Sequence, residues 1–331
     1  MERFALAAAV VLGFALTAAL CSLFVPLRRV LERREQQQQP VQSEQPRPAP
    51  LRAPLWGGLC AAAGTVAAVG VGWLAACVGQ PELLGSEGRL MTRLLTALAG
   101  SLAFGAVGLA EDLARMRSPA ALGLRRDVRL LLEALAAAFI LLLLRAAGCL
   151  PLGLGVPGAG YVLLGSAVPF LWAVLMVALA ECARIAERDE GTVCGAAFVA
   201  MLALMMAEAG LGVPGLAVLP AALAGALVAL LLWAFPPARL GVGCCGSLLA
   251  AGAIGCIPLS LDMTSLTVPL ALPFWAAGGL WAAQLLGAKR TGKPLRCWVK
   301  KHKMSPETVF LCSFALSAVG YVLALALLRW C

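Results

Sequence analysis

Acids and bases gather in four short stretches of this chain, each where an apolar run ends. The first, residues 108–133, reads GLAEDLARMRSPAALGLRRDVRLLLE and sets the adjacent acids Glu111 and Asp112 before Arg115, Arg117, Arg125, Arg126, Arg129 and Glu133. A carboxylate pair facing arginines can hold a divalent cation and the phosphates it bridges. The same residues also make an ordinary charged membrane edge. The second stretch, ECARIAERDEG over 181–191, crowds Glu181, Arg184, Glu187, Arg188, Asp189 and Glu190 together. Glu181 with Arg184, and Arg184 with Glu187, are three apart, a spacing that pairs side chains on a helix. It therefore reads first as a self-neutralised face and second as a metal site. The third, PPARLGVGCCGSLLAAG over 236–252, has Gly241, Gly243 and Gly246 for close backbone approach and Ser247 placed to cap the next helix. The fourth, GAKRTGKPLRCWVKKHKMSPE over 287–307, carries seven cations and the chain's one histidine, His302. Such a loop binds anionic lipid or a nucleotide phosphate, or only fixes topology.

The elements that must position these stretches are membrane helices. Of 331 residues, 61% are hydrophobic and 13% charged, against about 25% charged in a soluble protein, and the mean hydropathy is +0.90. A soluble globule, a disordered chain, collagen and a secreted disulfide scaffold are excluded. Apolar runs fall at about 4–27, 57–79, 94–110, 130–147, 161–180, 192–208, 215–235, 246–259, 267–287 and 307–328, near the ~20 residues a crossing needs. The fold class expected is all-α, a polytopic integral membrane protein of about ten transmembrane helices. The net charge of +9 reports orientation rather than nucleic-acid binding, because 21 of the 26 Lys and Arg lie in alternate loops. Those loops, at about 111–129, 181–191, 236–246 and 288–306 together with the segment after the first run, face the cytoplasm, and both termini lie outside.

The first run is long for a signal peptide and is read as a retained helix. Residues 35–54, Gln- and Pro-rich, read as a flexible cytoplasmic linker. CLPLGLGVPGAGY over 148–160 reads as an external connection. Residues 1–331 thus form a single transmembrane domain. The 12 cysteines include no CxxC pair, and most sit in apolar runs as small hydrophobes. Pro169, Pro258, Pro269 and Pro273 are potential kink points. Arg145 and Glu208 are the charges nearest a membrane interior, the mark of a transporter. Both lie near span ends, where snorkelling accounts for them.

Taken in order, the four stretches resemble the cytoplasmic loops of the phospho-N-acetylmuramoyl-pentapeptide transferase family, the polyprenyl-phosphate phosphosugar transferases of glycosyltransferase family 4. Ala53-Pro54-Leu55-Trp56-Gly57-Gly58 resembles the family's TPTMGG at the start of its second helix. Glu111-Asp112-Leu113, Gly123-Leu124 and Arg129-Leu130-Leu131-Leu132 are similar to its DDY, GL and KLLLQ. Thr291-Gly292-Lys293 matches its TGK, and Ser305-Pro306-Glu307 resembles its SEP. Ten helices with both ends outside is also the family's architecture. The departures are as specific. Where the family has NAVNLTDGLDG, residues 181–191 keep neither asparagine, and Glu187 and Glu190 stand at the aspartate positions. Where it has FMGDxGSL, this chain reads Gly241-Val242-Gly243-Cys244-Cys245-Gly246-Ser247-Leu248, with a soft Cys244 thiol at the magnesium-binding aspartate. Of the family's HHH loop, Lys300-Lys301-His302-Lys303 keeps one histidine.

The resemblance implies a multi-pass protein of a bacterial-type plasma membrane, acting in peptidoglycan and cell-wall synthesis with Mg2+ as cofactor. Its partners would be polyprenyl (undecaprenyl) phosphate and a UDP-linked phosphosugar, with a homodimer or a cell-wall enzyme as further partners. It implies Glu111, Asp112 and Glu187 as the catalytic acids, Lys293, His302 and Arg129 as substrate-binding residues, and Glu190 as a metal ligand. Two function classes stay open: a transferase with a rebuilt site, or a catalytically silent paralogue that binds lipid or regulates a partner. A small-solute transporter is the third.

Overall fold

The computed structural model describes residues 2–38, 56–79, 88–117, 123–156, 160–163, 165, 167–187, 191–213, 215–235, 238–286 and 305–330. Its long helices are α1 Glu2–Gln38, α2 Gly57–Gly79, α3 Gly88–Arg117, α4 Arg126–Ala146, α5 Ala167–Ala186, α6 Thr192–Gly210, α7 Val218–Ala234 and α8 Gly243–Ser260. The short α9 Thr267–Leu270 leads into α10 Leu272–Leu286, and α11 Pro306–Trp330 closes the chain. Among the described residues seven helices are long and apolar enough to cross a membrane, or eight if the pair Thr264–Leu270 and Leu272–Ala283, bent by 65°, is one span. This is an all-α, multi-pass membrane protein. The ten apolar runs each fall on a helix or on that bent pair. The two that miss the length-and-composition test do so for visible reasons: α7 has 17 residues, and α4 carries Arg129, Glu133 and Arg145.

The bend between α9 and α10 follows from Pro273, which has no N–H to give the Pro269 carbonyl one turn back. Gly320 of α11 passes against that carbonyl. α11 itself begins as its sequence directs: Ser305 Oγ accepts from the Thr308 N–H at 3.2 Å, Pro306 occupies the first helical position, and Glu307 follows in the first turn.

α8 is the axis of the bundle, with all 18 of its residues buried. It lies between α3, α5, α2 and α6, and its glycines, alanines and cysteines let those backbones come close, the way helices associate in lipid. α1 approaches from outside by the same means. Ala5, Ala9, Gly13, Thr17 and Cys21, each four apart, are its buried stripe, and it packs on α2 and α7.

Two expectations change. The connection over 148–160 is an antiparallel hairpin, β1 Gly153–Val156 paired with β2 Gly160–Leu163, where Val156, Tyr161 and Val162 favour a pleat. The run that started at 161 therefore becomes helical only at Ala167. The segment expected as a linker from 35 is helical through Gln38, since Glu and Gln are good helix formers. The rest of it, 39–54, lies outside the described residues.

α3 makes the longest crossing among the described residues. Its apolar span Leu90–Arg117 has 28 residues, about 42 Å at 1.5 Å each, against a hydrocarbon core of ~30 Å. The turn that holds Glu111, Asp112 and Arg115 thus stands at the charged end of the bundle, where α4 begins, α5 ends and α8 begins.

Candidate functional site

Asp112 sits at that junction, 1% exposed. Its two carboxylate oxygens accept from the first amides of α8, Oδ1 from Cys244 N–H at 3.0 Å and Oδ2 from Cys245 N–H at 2.9 Å. The N–H groups of a helix's first turn have no partner within the helix, and its dipole favours an anion there. Val242, the residue before α8, supplies no side-chain cap, so α3 caps α8 across the bundle. Ser247, expected to be that cap, is inside the helix, and its Oγ donates to the Cys244 carbonyl at 3.1 Å.

Glycine permits this closeness. A Cβ on Gly108 would strike the Cys244 carbonyl, and one on Gly58 would strike the Gly246 nitrogen. The start of α2 is hooked to the same place, with Gly57 N–H on the Gly241 carbonyl at 3.2 Å and Gly58 N–H on that of Val242 at 2.9 Å. Trp56 then stacks on Phe24 of α1, ring centroids 5.8 Å apart.

Glu111 points the other way. Its Oε1 accepts from Arg115 Nη2 at 2.7 Å and lies 3.5 Å from Arg129 Nη1, while Oε2 is buried with no hydrogen-bond partner. Arg129, 6% exposed, donates from Nε to Glu181 Oε1 at 2.8 Å, and Arg184 Nη2 donates to Glu181 Oε2 at 2.6 Å. The expected pairing of Glu181 with Arg184 is thus present. Glu133, 0% exposed, lies 3.9 Å from Arg129 Nε, and neither of its oxygens is hydrogen-bonded. Arg115 Nη1 stands 3.8 Å from both Asp112 Oδ1 and Glu187 Oε2. Cys244 Sγ turns toward the same Glu187 oxygen at 3.9 Å.

The three expected catalytic acids, Glu111, Asp112 and Glu187, therefore converge, and they converge on an arginine. Arg129, expected to bind substrate, is held among Glu111, Glu133 and Glu181. Glu190, Lys293 and His302 lie outside the described residues. Sequence reading did not single out Arg115, Arg184, Glu133 or Glu181 as site residues. The spacing of Arg115 after Glu111 and Asp112 signals its pairing, whereas nothing local signals the link from Arg129 to Glu181, 52 positions away. Glu208 is 1% exposed with Oε2 unpartnered, so it is enclosed in the protein rather than snorkelling, and Arg145 is exposed.

The described residues do not fit a magnesium ion. Mg2+ needs near-octahedral oxygens at about 2.0–2.1 Å. Asp112 has both oxygens committed to backbone amides, Glu111 and Glu187 are drawn to a guanidinium, and Cys244 offers a soft sulfur. Among the described residues no group of three His, Cys, Asp or Glu side chains is placed to hold a metal.

Fold and site together define a multi-pass membrane protein with a buried acid–arginine cluster at the charged end of its bundle. Residues 94–262 match the family described as Glycosyl transferase family 4, and the chain belongs to it. Two phospho-N-acetylmuramoyl-pentapeptide-transferases are among its relatives. That of Synechococcus sp. (strain RCC307) is 30% identical over 212 residues, 63% of this chain and 55% of the relative. That of Geobacillus kaustophilus (strain HTA426) is 26% identical over 271 residues, 81% of this chain and 79% of the relative. The chain thus spans little more than half the length of the first relative.

Proposed function

We propose that this chain is a catalytically silent member of its family, a plasma-membrane protein that binds a polyprenyl phosphate and serves the cell-wall enzymes as a partner. Asp112 carries the reading. The acid retained from the family's pair accepts from the first turn of α8 with both of its oxygens, the arrangement of a structural anchor.

The second reading is a transferase with a rebuilt site. The observation in its favour is that Glu111, Asp112 and Glu187, from the ends of two helices, meet within 4 Å of one guanidinium. In that reading the phosphosugar passes to the polyprenyl phosphate and UMP leaves.

Lipid binding is tested by native mass spectrometry of the purified chain with undecaprenyl phosphate, with and without EDTA. The proposal expects bound lipid in both conditions, because none of the contacts described depends on a metal. Absence of bound lipid, or its loss on chelation, contradicts it.

A further inference from the structure

We propose that the Arg115 guanidinium is the resident cation of this site, a built-in replacement for a divalent ion, and that it closes the acid cluster to metals. The inference rests on the reading of the site as silent and gives it a cause. Arg115 is the one basic side chain among the described residues that stands within 4 Å of Glu111, Asp112 and Glu187 together. These are the acids that a divalent ion would have to bridge. It reaches them because it lies one helical turn after the pair, at i+4 from Glu111 and i+3 from Asp112, with Glu187 arriving from the end of α5. The acids are 3%, 1% and 11% exposed in their side chains and Arg115 is 21% exposed. The positive charge therefore sits on the more exposed side of the acids, where it covers them.

A guanidinium suits this place physically. It is planar, permanently charged and weakly hydrated, so it enters a buried acid set more readily than an aqueous ion that must shed its water shell. It also cannot be removed by a chelator or exchanged for another ion. Glu111 is bound at 2.7 Å and the two remaining acids are balanced at 3.8 Å. Deleting the guanidinium would remove that shared positive charge and leave the Glu111 and Glu187 carboxylates, hard oxygen donors of the kind a divalent ion takes.

The test is uptake of Mn2+ by the full-length chain in detergent, read as loss of the free-ion signal in electron paramagnetic resonance. Wild type is expected to take up none at this site, so that Glu187→Gln changes nothing. Arg115→Ala is expected to gain saturable uptake, Arg115→Lys to gain none because the charge remains, and Arg115→Ala with Glu187→Gln to lose what was gained. Arg115→Met keeps the apolar stem and serves where the alanine variant does not fold. Uptake by wild type that disappears in Glu187→Gln overturns the proposal, as does a folded Arg115→Ala or Arg115→Met protein that takes up no Mn2+. UMP release reads the silent function separately. Wild type that releases UMP yet takes up no Mn2+ overturns silence and leaves the role of Arg115. Wild type with Glu187-dependent uptake and no UMP release overturns the role of Arg115 alone.

Discussion

Removing the Asp112 carboxylate separates a structural anchor from a poised catalytic acid by the sign of its effect on stability. In the structure it accepts two amide bonds, at 3.0 and 2.9 Å, and it is buried against α8, the helix on which α2, α3, α5 and α6 pack. A hydrogen bond to a charged group contributes about 1.5–3 kcal/mol, and a buried amide left without a partner keeps its full desolvation cost. Asp112→Ala removes both bonds and is expected to cost about 3–6 kcal/mol. Asp112→Asn keeps one oxygen and turns an NH2 group toward the second amide, so about half of that is expected to be lost. At about 2–4 °C per kcal/mol, the alanine variant should unfold on the order of 10 °C below wild type. Thermal unfolding in detergent, followed with a thiol-reactive dye, is the assay, because Cys194, Cys244, Cys245 and Cys256 are free and buried and react only once the bundle opens. A carboxylate held for catalysis beside Glu111 and Glu187 instead lies in a destabilised site, and removing it raises stability. An unfolding temperature of Asp112→Ala equal to or above that of wild type would refute the assignment of Asp112 as the anchor of α8.

Three further outcomes follow from the same contacts. Gly108→Ala drives a Cβ into the Cys244 carbonyl and is expected to destabilise by at least about 1–3 kcal/mol, seen as a lowered unfolding temperature or loss of the monodisperse peak in gel filtration. Arg129→Met leaves Glu181 and Glu111 facing each other without their shared partner, at about 3–5 kcal/mol. Adding Glu181→Met is expected to recover part of that in a double-mutant cycle, and strict additivity would show that the two side chains are uncoupled. Glu208→Leu replaces an enclosed carboxyl that has an unpartnered oxygen by an apolar side chain and is expected to raise stability by about 1–3 kcal/mol. A fall on unfolding would mean that Glu208 has a partner.

The helices were legible in the sequence because lipid imposes a one-dimensional pattern: a run of apolar residues ends where Arg or Glu must reach water. Ser305-Pro306-Glu307 entered the reading through its resemblance to the family's SEP, and the structure adds the local reason, a hydroxyl, a missing N–H and an acid in the first turn of α11. The hairpin at Gly153–Leu163 was not readable, since its glycines are the common coin of any loop. The acids were legible as a cluster, and their partners were legible only where these lay on the same helix turn. Asp112 and Cys244 are 132 positions apart, so a capping role for the one on the helix of the other left no trace in spacing. Ser247 has a residue type suited to capping, yet a carboxylate from another helix already filled that place. Glu208 was misjudged because distance along a helix does not tell which face it turns to its neighbours.

The measurement that bears most directly on the whole account is UMP release by the purified wild-type chain, given UDP-N-acetylmuramoyl-pentapeptide and undecaprenyl phosphate with and without magnesium. A relative such as the Geobacillus kaustophilus protein is run in parallel as the reference. The account predicts no release above the protein-free rate in either condition. Magnesium-dependent release that is lost in Glu187→Gln would contradict it and establish a rebuilt transferase site.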